Sequence, residues 1–146
     1  AAGVIAAVAG AAGVGKTALV VHWAHKVHKY LPDGALYVDL RGYDPGPPVS
    51  PQTALDGFLH ALNVPPARIP ADVEAQAGLY RSLLNGRRML IVLDNAAHPE
   101  QVRPLLPGSP ACRVIVTSRS RLWPCVSLLN APRPAPMHHW LTWYAS

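Results

Sequence analysis

The sequence predicts an α/β fold in which a mainly parallel sheet is covered by helices on both faces, giving three layers. Three observations carry this. Short apolar runs at residues 4–9, 35–40, 89–93 and 114–116 alternate with stretches of helical character. The runs are apolar throughout rather than every second residue, the mark of parallel strands buried on both faces. The chemistry-bearing residues Gly10, Asp39, Asp94 and Thr117 fall at or just past the ends of those runs. In parallel α/β sheets, ligands sit at the carboxyl ends of the strands.

Each element has a local reason. Residues 4–9 form an apolar run that stops at Gly10. Residues 17 to about 30 read as a helix, with Ala18, Leu19, Val21, Trp23, Ala24 and Val27 as its apolar positions and "LPDG" as its stop. "ALYVDL" is the second strand, and "RGYDPGPPVSP" is a loop dense in Gly and Pro. Ser50 followed by Pro51 is a helix start, a capping hydroxyl and then Pro at the first helical position. That helix runs to about Leu62, where "NVPPARIP" breaks it. Asp72 caps the next helix, which carries Val73, Ala77, Tyr80, Leu83 and Leu84 on one side and ends at "NG". "MLIVL" is a buried strand ending in Asp94. A short helix is expected at about residues 100–105, then a strand at 114–116 that ends in "TSR". From Trp123 no period of 2 or 3.6 is visible, and the segment starting there holds three of the four Trp. The expected division is therefore an α/β domain over residues 1–122 and an unassigned Pro- and Trp-rich tail over 123–146, with at most one short strand near 126–129.

Composition narrows the function classes. The 146 residues are 50% hydrophobic and only 14% charged, against about 25% in an average soluble protein. So little charge suits a segment that packs against further domains, as well as a plain Ala- and Pro-rich surface. The net charge is +5, but the basic residues are scattered, with no run of five. That pattern suits a solvated surface and argues against direct nucleic-acid binding by this segment. Cys112 and Cys125 are too far apart for a zinc knuckle or a CxxC pair, so a reduced, cytoplasmic setting is expected. The opening "AAGVIAAVAGAAGVG" has no basic flank and is short for a membrane span, so no membrane role is expected. It also lacks an initiator Met, and the chain is expected to be a piece of a longer protein. His22, His25 and His28 recur along the first helix without a carboxylate or Cys to complete a metal site.

The motif with the most chemistry is Gly10-Ala11-Ala12-Gly13-Val14-Gly15-Lys16-Thr17, which fits G-x-x-x-x-G-K-[ST] between a strand and a helix. Glycines let successive backbone N–H groups turn inward on phosphate oxygens, and the following helix adds its positive end. Lys16 brings a point charge to the β- and γ-phosphates, and the Thr17 hydroxyl ligates Mg²⁺. Asp94, at the tip of a later buried strand, is the matching acidic ligand for Mg²⁺. Arg119, in "VIVTSR", lies where a γ-phosphate sensor is expected. Asn95 follows Asp94, where hydrolysing P-loop enzymes often carry an acid. An amide can position a water but cannot take its proton.

Together these segments resemble the NB-ARC type of P-loop NTPase, among the signal-transducing ATPases with numerous domains. The resemblance is closest to bacterial regulators that join a DNA-binding activator domain to NB-ARC and helical repeats. It covers about residues 4–122 and rests on "GAAGVGKTALVVHWAHKV", "LPDGALYVDLRGYDP", "PPARIPAD", "RRMLIVLDNA", "EQVRPLLPGSP" and "VIVTSRSRL". It implies a truncated three-layer P-loop NTPase fold and an ATP/ADP switch with Mg²⁺, in which Lys16, Thr17, Asp94 and Arg119 hold the P-loop, metal and sensor roles. The implied activity is at most a slow ATPase. The implied partners are an adenine nucleotide and the other domains of a longer parent protein, with transcription regulation as the setting. No NKxD-like guanine motif is present, which favours adenine. Two alternatives stand beside this: a small-molecule P-loop kinase, and a non-functional truncated remnant.

Overall fold

The structure is a computed structural model. It describes residues 5–9, 31–42, 44–109 and 111–118, the first of these as strand backbone only. Its elements are β1 (Ile5–Ala9), β2 (Ala35–Asp39), α1 (Pro51–Ala61), α2 (Val73–Leu84), β3 (Leu90–Asp94), α3 (Pro99–Val102) and β4 (Arg113–Ser118). The caps are the expected ones. The Thr53 N–H donates to the Ser50 hydroxyl at 3.1 Å, and the Ala75 N–H to the Asp72 carboxylate at 3.0 Å. The expected helix over 100–105 is instead the single turn α3, followed by a 3₁₀ turn, Arg103–Leu105. Pro104 is the reason: without an N–H it cannot extend an α-helical ladder, and the tighter turn needs less from it. β4 is longer than the apolar run predicts. It takes in Thr117 and Ser118, polar residues that backbone pairing with β1 holds in the strand.

The four strands form one parallel sheet in the order β1-β4-β3-β2. The register aligns Leu36, Ile91 and Val114 across the sheet, then Val38, Leu93 and Val116. These residues face α1, α2 and the Arg103–Leu105 turn, and pack with Leu55, Phe58, Leu59, Tyr80, Leu84 and Leu105 into one core. Tyr80 stacks on Phe58 with centroids 5.7 Å apart, and its hydroxyl donates to the Leu105 carbonyl at 2.7 Å. Leu90, Val92 and Ile115 point to the other face and are buried too, outside that cluster. At β3 and β4 both faces of the sheet are therefore covered, as their unbroken apolar runs require, while Ala35, Tyr37 and Asp39 of the edge strand β2 are exposed on one face. This is an α/β fold of P-loop NTPase type with a parallel sheet. The expected helix over 17–30, the three histidines on it, Cys125 and the whole tail from 123 lie outside the described residues.

Candidate functional site

The strand order decides which residues meet. β4 lies between β1 and β3, so the carboxyl tips of all three stand side by side. Ala9 is in register with Ser118, Val8 with Thr117, and Asp39 with Asp94. The chain leaves β1 at this edge, two strand spacings or about 10 Å from the backbone of Asp94. Gly10 to Thr17 and Arg119, the expected phosphate, metal and sensor residues, lie outside the described residues. Asp94, Asn95 and Thr117 are within them.

Asp94 is buried, 8% exposed, and its carboxylate is held at both oxygens. The Thr117 hydroxyl donates to Oδ1, and the Tyr37 hydroxyl donates to Oδ2 at 2.9 Å. Thr117 is itself fixed, because its Oγ1 accepts the Asn95 N–H at 2.8 Å. Partial burial, the hydrogen bond to Asp94 and the charges of Asp94 and Asp39 all push the Tyr37 phenol well above its ordinary range. It is therefore neutral and able to donate throughout the physiological range.

Around this carboxylate the loops after β2 and β3 are joined. Arg41 and Asn95 adopt left-handed backbone, with φ of 49° and 61°. The Leu40 N–H donates to the Asp94 carbonyl and the Gly42 N–H to the Asn95 carbonyl, both at 2.8 Å. Gln101 accepts from the N–H groups of Ala97 and His98 at 2.8 and 3.1 Å. The Asn95 side-chain amide donates to the Asp44 carboxylate at 3.2 Å. The residue expected to position a water thus has its amide N–H turned toward an acid of the neighbouring loop. Asp39 accepts from the Arg41 N–H at 3.0 Å.

Among the described residues no group of three or more His, Cys, Asp or Glu could hold a metal alone. Mg²⁺ asks less of a protein than that: one or two carboxylates, with phosphates and waters completing its shell. Asp94 fits this requirement as an oriented oxygen donor at the strand tips. Tyr37 and Asp44 are the residues around it that sequence reading gave no role, and Thr117, already a candidate at its strand end, bonds Asp94 directly. Tyr37 reads as an ordinary strand residue in "ALYVDL". The signal was its two-residue spacing from Asp39, which puts both on one face of the sheet.

The fold defines the class, an α/β protein of P-loop NTPase type. Within it, the chain is similar to the regulatory protein AfsR of Streptomyces griseus, 52% identical over 118 residues, and to that of Streptomyces coelicolor, 51% identical over 118 residues. Each alignment covers 81% of this chain and 12% of the relative, so the chain spans about 12% of the length of the curated relatives it matches. No protein-family model matches. Among solved structures, a chain of the Drosophila ORC assembly bound to AT-rich DNA and Cdc6 superposes with a TM-score of 0.61 at 14% identity, over 88% of this chain and 46% of that one. Cdc6p from Pyrobaculum aerophilum gives 0.59 at 17%, over 92% and 36%. The Aeropyrum pernix Orc1 protein in complex with DNA gives 0.55 at 19%, over 89% and 36%. At these identities the likeness is one of fold. Among the described residues, no helix is long and apolar enough to cross a membrane.

Proposed function

We propose that this chain is the nucleotide-binding switch module of a transcriptional regulator of the NB-ARC type, taking ATP and ADP with Mg²⁺ in the cytoplasm. The observation that carries the reading is the Asp94 carboxylate, held by two hydroxyls at the tip of β3. It stands two strands from the tip of β1, which the G-x-x-x-x-G-K-T sequence follows. The similarity to two regulatory proteins supports the setting, and their greater length supports other domains of a parent protein as partners. Direct nucleic-acid contact by this segment is no part of the reading.

In this assignment the backbone of residues 10–15 and Lys16 bind the phosphates. Thr17 and Asp94 hold Mg²⁺, which would neutralise phosphate charge when bound. Arg119 senses the γ-phosphate. Asn95 cannot act as a general base, and loss of one typically costs about 10² to 10⁴ in rate. The nucleotide then dwells as a signal rather than turning over as a substrate. The kinase alternative needs a mobile lid over the phosphates. "RGYDPGPP" is the loop long enough, but Gly42 and Asp44 in it are pinned to Asn95.

The test is nucleotide titration of the chain beside Lys16→Ala. The variant is expected to lose tight ADP and ATP binding with an unchanged circular dichroism spectrum, because Lys16 in "GVGKT" supplies charge to the phosphates. Equal affinity in the two proteins would remove the phosphate role.

A further inference from the structure

On the face of the sheet that carries Asp94, the side chains near the carboxyl tips are Tyr37 and Asp39 on β2, Val92 and Asp94 on β3, and Ile115 and Thr117 on β4. Tyr37 lies opposite Val92, one pleat back from Asp94 on the neighbouring strand. One strand spacing and two residues of rise put that diagonal at about 8 Å between backbones, within reach of an aromatic side chain but not of a short one. A tyrosine is therefore among the few residues that can bring a hydroxyl to Asp94 from this position.

The bond is not a by-product of burial. A buried phenol takes whatever acceptor lies near, because an unpaired hydroxyl in the core is costly. Tyr37 is 53% exposed, the one large hydrophobic side chain exposed among the described residues. Water could satisfy its hydroxyl, yet the hydroxyl is committed to Oδ2 at 2.9 Å. On the other side, the Asn95 N–H donates to the Thr117 hydroxyl, which in turn donates to Asp94 Oδ1, with Thr117 fully buried. The Tyr37 and Thr117 hydroxyls donate to opposite oxygens, and two donors so placed help fix the plane of the carboxylate.

We propose that Tyr37 is a positioning residue for the acidic Mg²⁺ ligand: its hydroxyl, with that of Thr117, orients the Asp94 carboxylate toward the cation that accompanies the nucleotide. The proposal rests on the nucleotide reading given above. It assigns Tyr37 no contact with phosphate or base, so its effect belongs entirely to the metal-dependent part of binding.

The experiment is calorimetric titration of the 146-residue chain with ADP, in Mg²⁺ and in EDTA, for the native protein, Tyr37→Phe and Asp94→Asn. In the native protein Mg²⁺ tightens ADP binding. Tyr37→Phe is expected to match the native affinity in EDTA and the native melting temperature, and to lose about three- to tenfold of affinity in Mg²⁺, the worth of one net hydrogen bond. Asp94→Asn is expected to lose the Mg²⁺-dependent gain altogether, and adding Tyr37→Phe to it should change nothing further. A Tyr37→Phe protein with the full Mg²⁺ gain overturns the positioning role and leaves the nucleotide reading standing. An equal loss in Mg²⁺ and EDTA overturns it also, because Tyr37 would then serve the fold or touch the nucleotide. A native protein that binds ADP under neither condition overturns both readings.

Discussion

Asn95 uses three of its polar groups at once. Its N–H donates to Thr117, its carbonyl accepts from Gly42, and its side-chain amide donates to Asp44. Its φ of 61° is one that Asn and Asp adopt more readily than other residues with a side chain. Replacing it with Asp therefore keeps the backbone but sets two carboxylates where one amide–carboxylate bond was. Like charges at that distance disfavour one another, modestly so at a partly exposed position. Asn95→Asp is expected to lower the melting temperature by a few degrees, and adding Asp44→Asn to restore it, because the bond then forms with donor and acceptor exchanged. The same pair tests the slow-hydrolysis reading without the repulsion. Single-turnover hydrolysis is expected far below about 1 s⁻¹ in the native chain, and faster by about 10² or more in the double variant. A native rate above that value, or a double variant no faster than the native chain, would mean that Asn95 does not limit the chemistry.

At the scale of elements, the joint between the loops after β2 and β3 holds the candidate site together. Gly42 makes it possible. A Cβ built there would lie 2.4 Å from the Ala97 nitrogen and 2.7 Å from the Asn95 carbonyl oxygen, both backbone atoms with little freedom to yield. Gly42→Ala is expected to destabilise by about 1–3 kcal/mol, the usual cost of forcing volume into a packed contact. Gly57 is the contrast: it lies exposed within α1 with open space about it. Gly57→Ala should stabilise by about 0.5–1 kcal/mol through helix propensity alone. Thermal melts of the two variants check both signs. A harmless Gly42→Ala would show that the two loops do not need their close approach.

For the whole molecule, stability depends on a core built on one face of the sheet and tied across by Tyr80. This phenol is fully buried between α1, α2 and the Arg103–Leu105 turn, and donates to the Leu105 carbonyl. Burial chiefly, with the nearby Cys112, pushes its ionisation far above the ordinary value, and Arg81 offsets only part of that. In the unfolded chain the same phenol ionises near pH 10. A group whose folded value is raised contributes its full stability below the unfolded value and loses it as pH rises. Stability is therefore expected to hold up to about pH 10 and to fall steadily above it. Tyr80→Phe should flatten that fall, at the cost of an unpaired Leu105 carbonyl at neutral pH. Denaturant melts from pH 8 to 11 measure both effects. An alkaline slope as steep in Tyr80→Phe as in the native chain would put its cause elsewhere.

The sequence by itself determined what neighbouring residues can determine. Unbroken apolar runs made parallel strands, Ser50 and Asp72 capped the helices, and Asp94 fell at a strand tip, because period and capping are properties of a few consecutive residues. The Pro104 turn and the polar end of β4 were read less well, since one depends on a missing N–H and the other on a partner strand. What only the tertiary structure decided is which tips are neighbours. Tyr37 and Asp94 are 57 positions apart, Asp44 and Asn95 are 51 apart, and Thr117 and Asp94 are 23 apart. No local pattern records those pairings. They exist because the strands are ordered β1-β4-β3-β2, and that order is a property of how the apolar faces pack as a set.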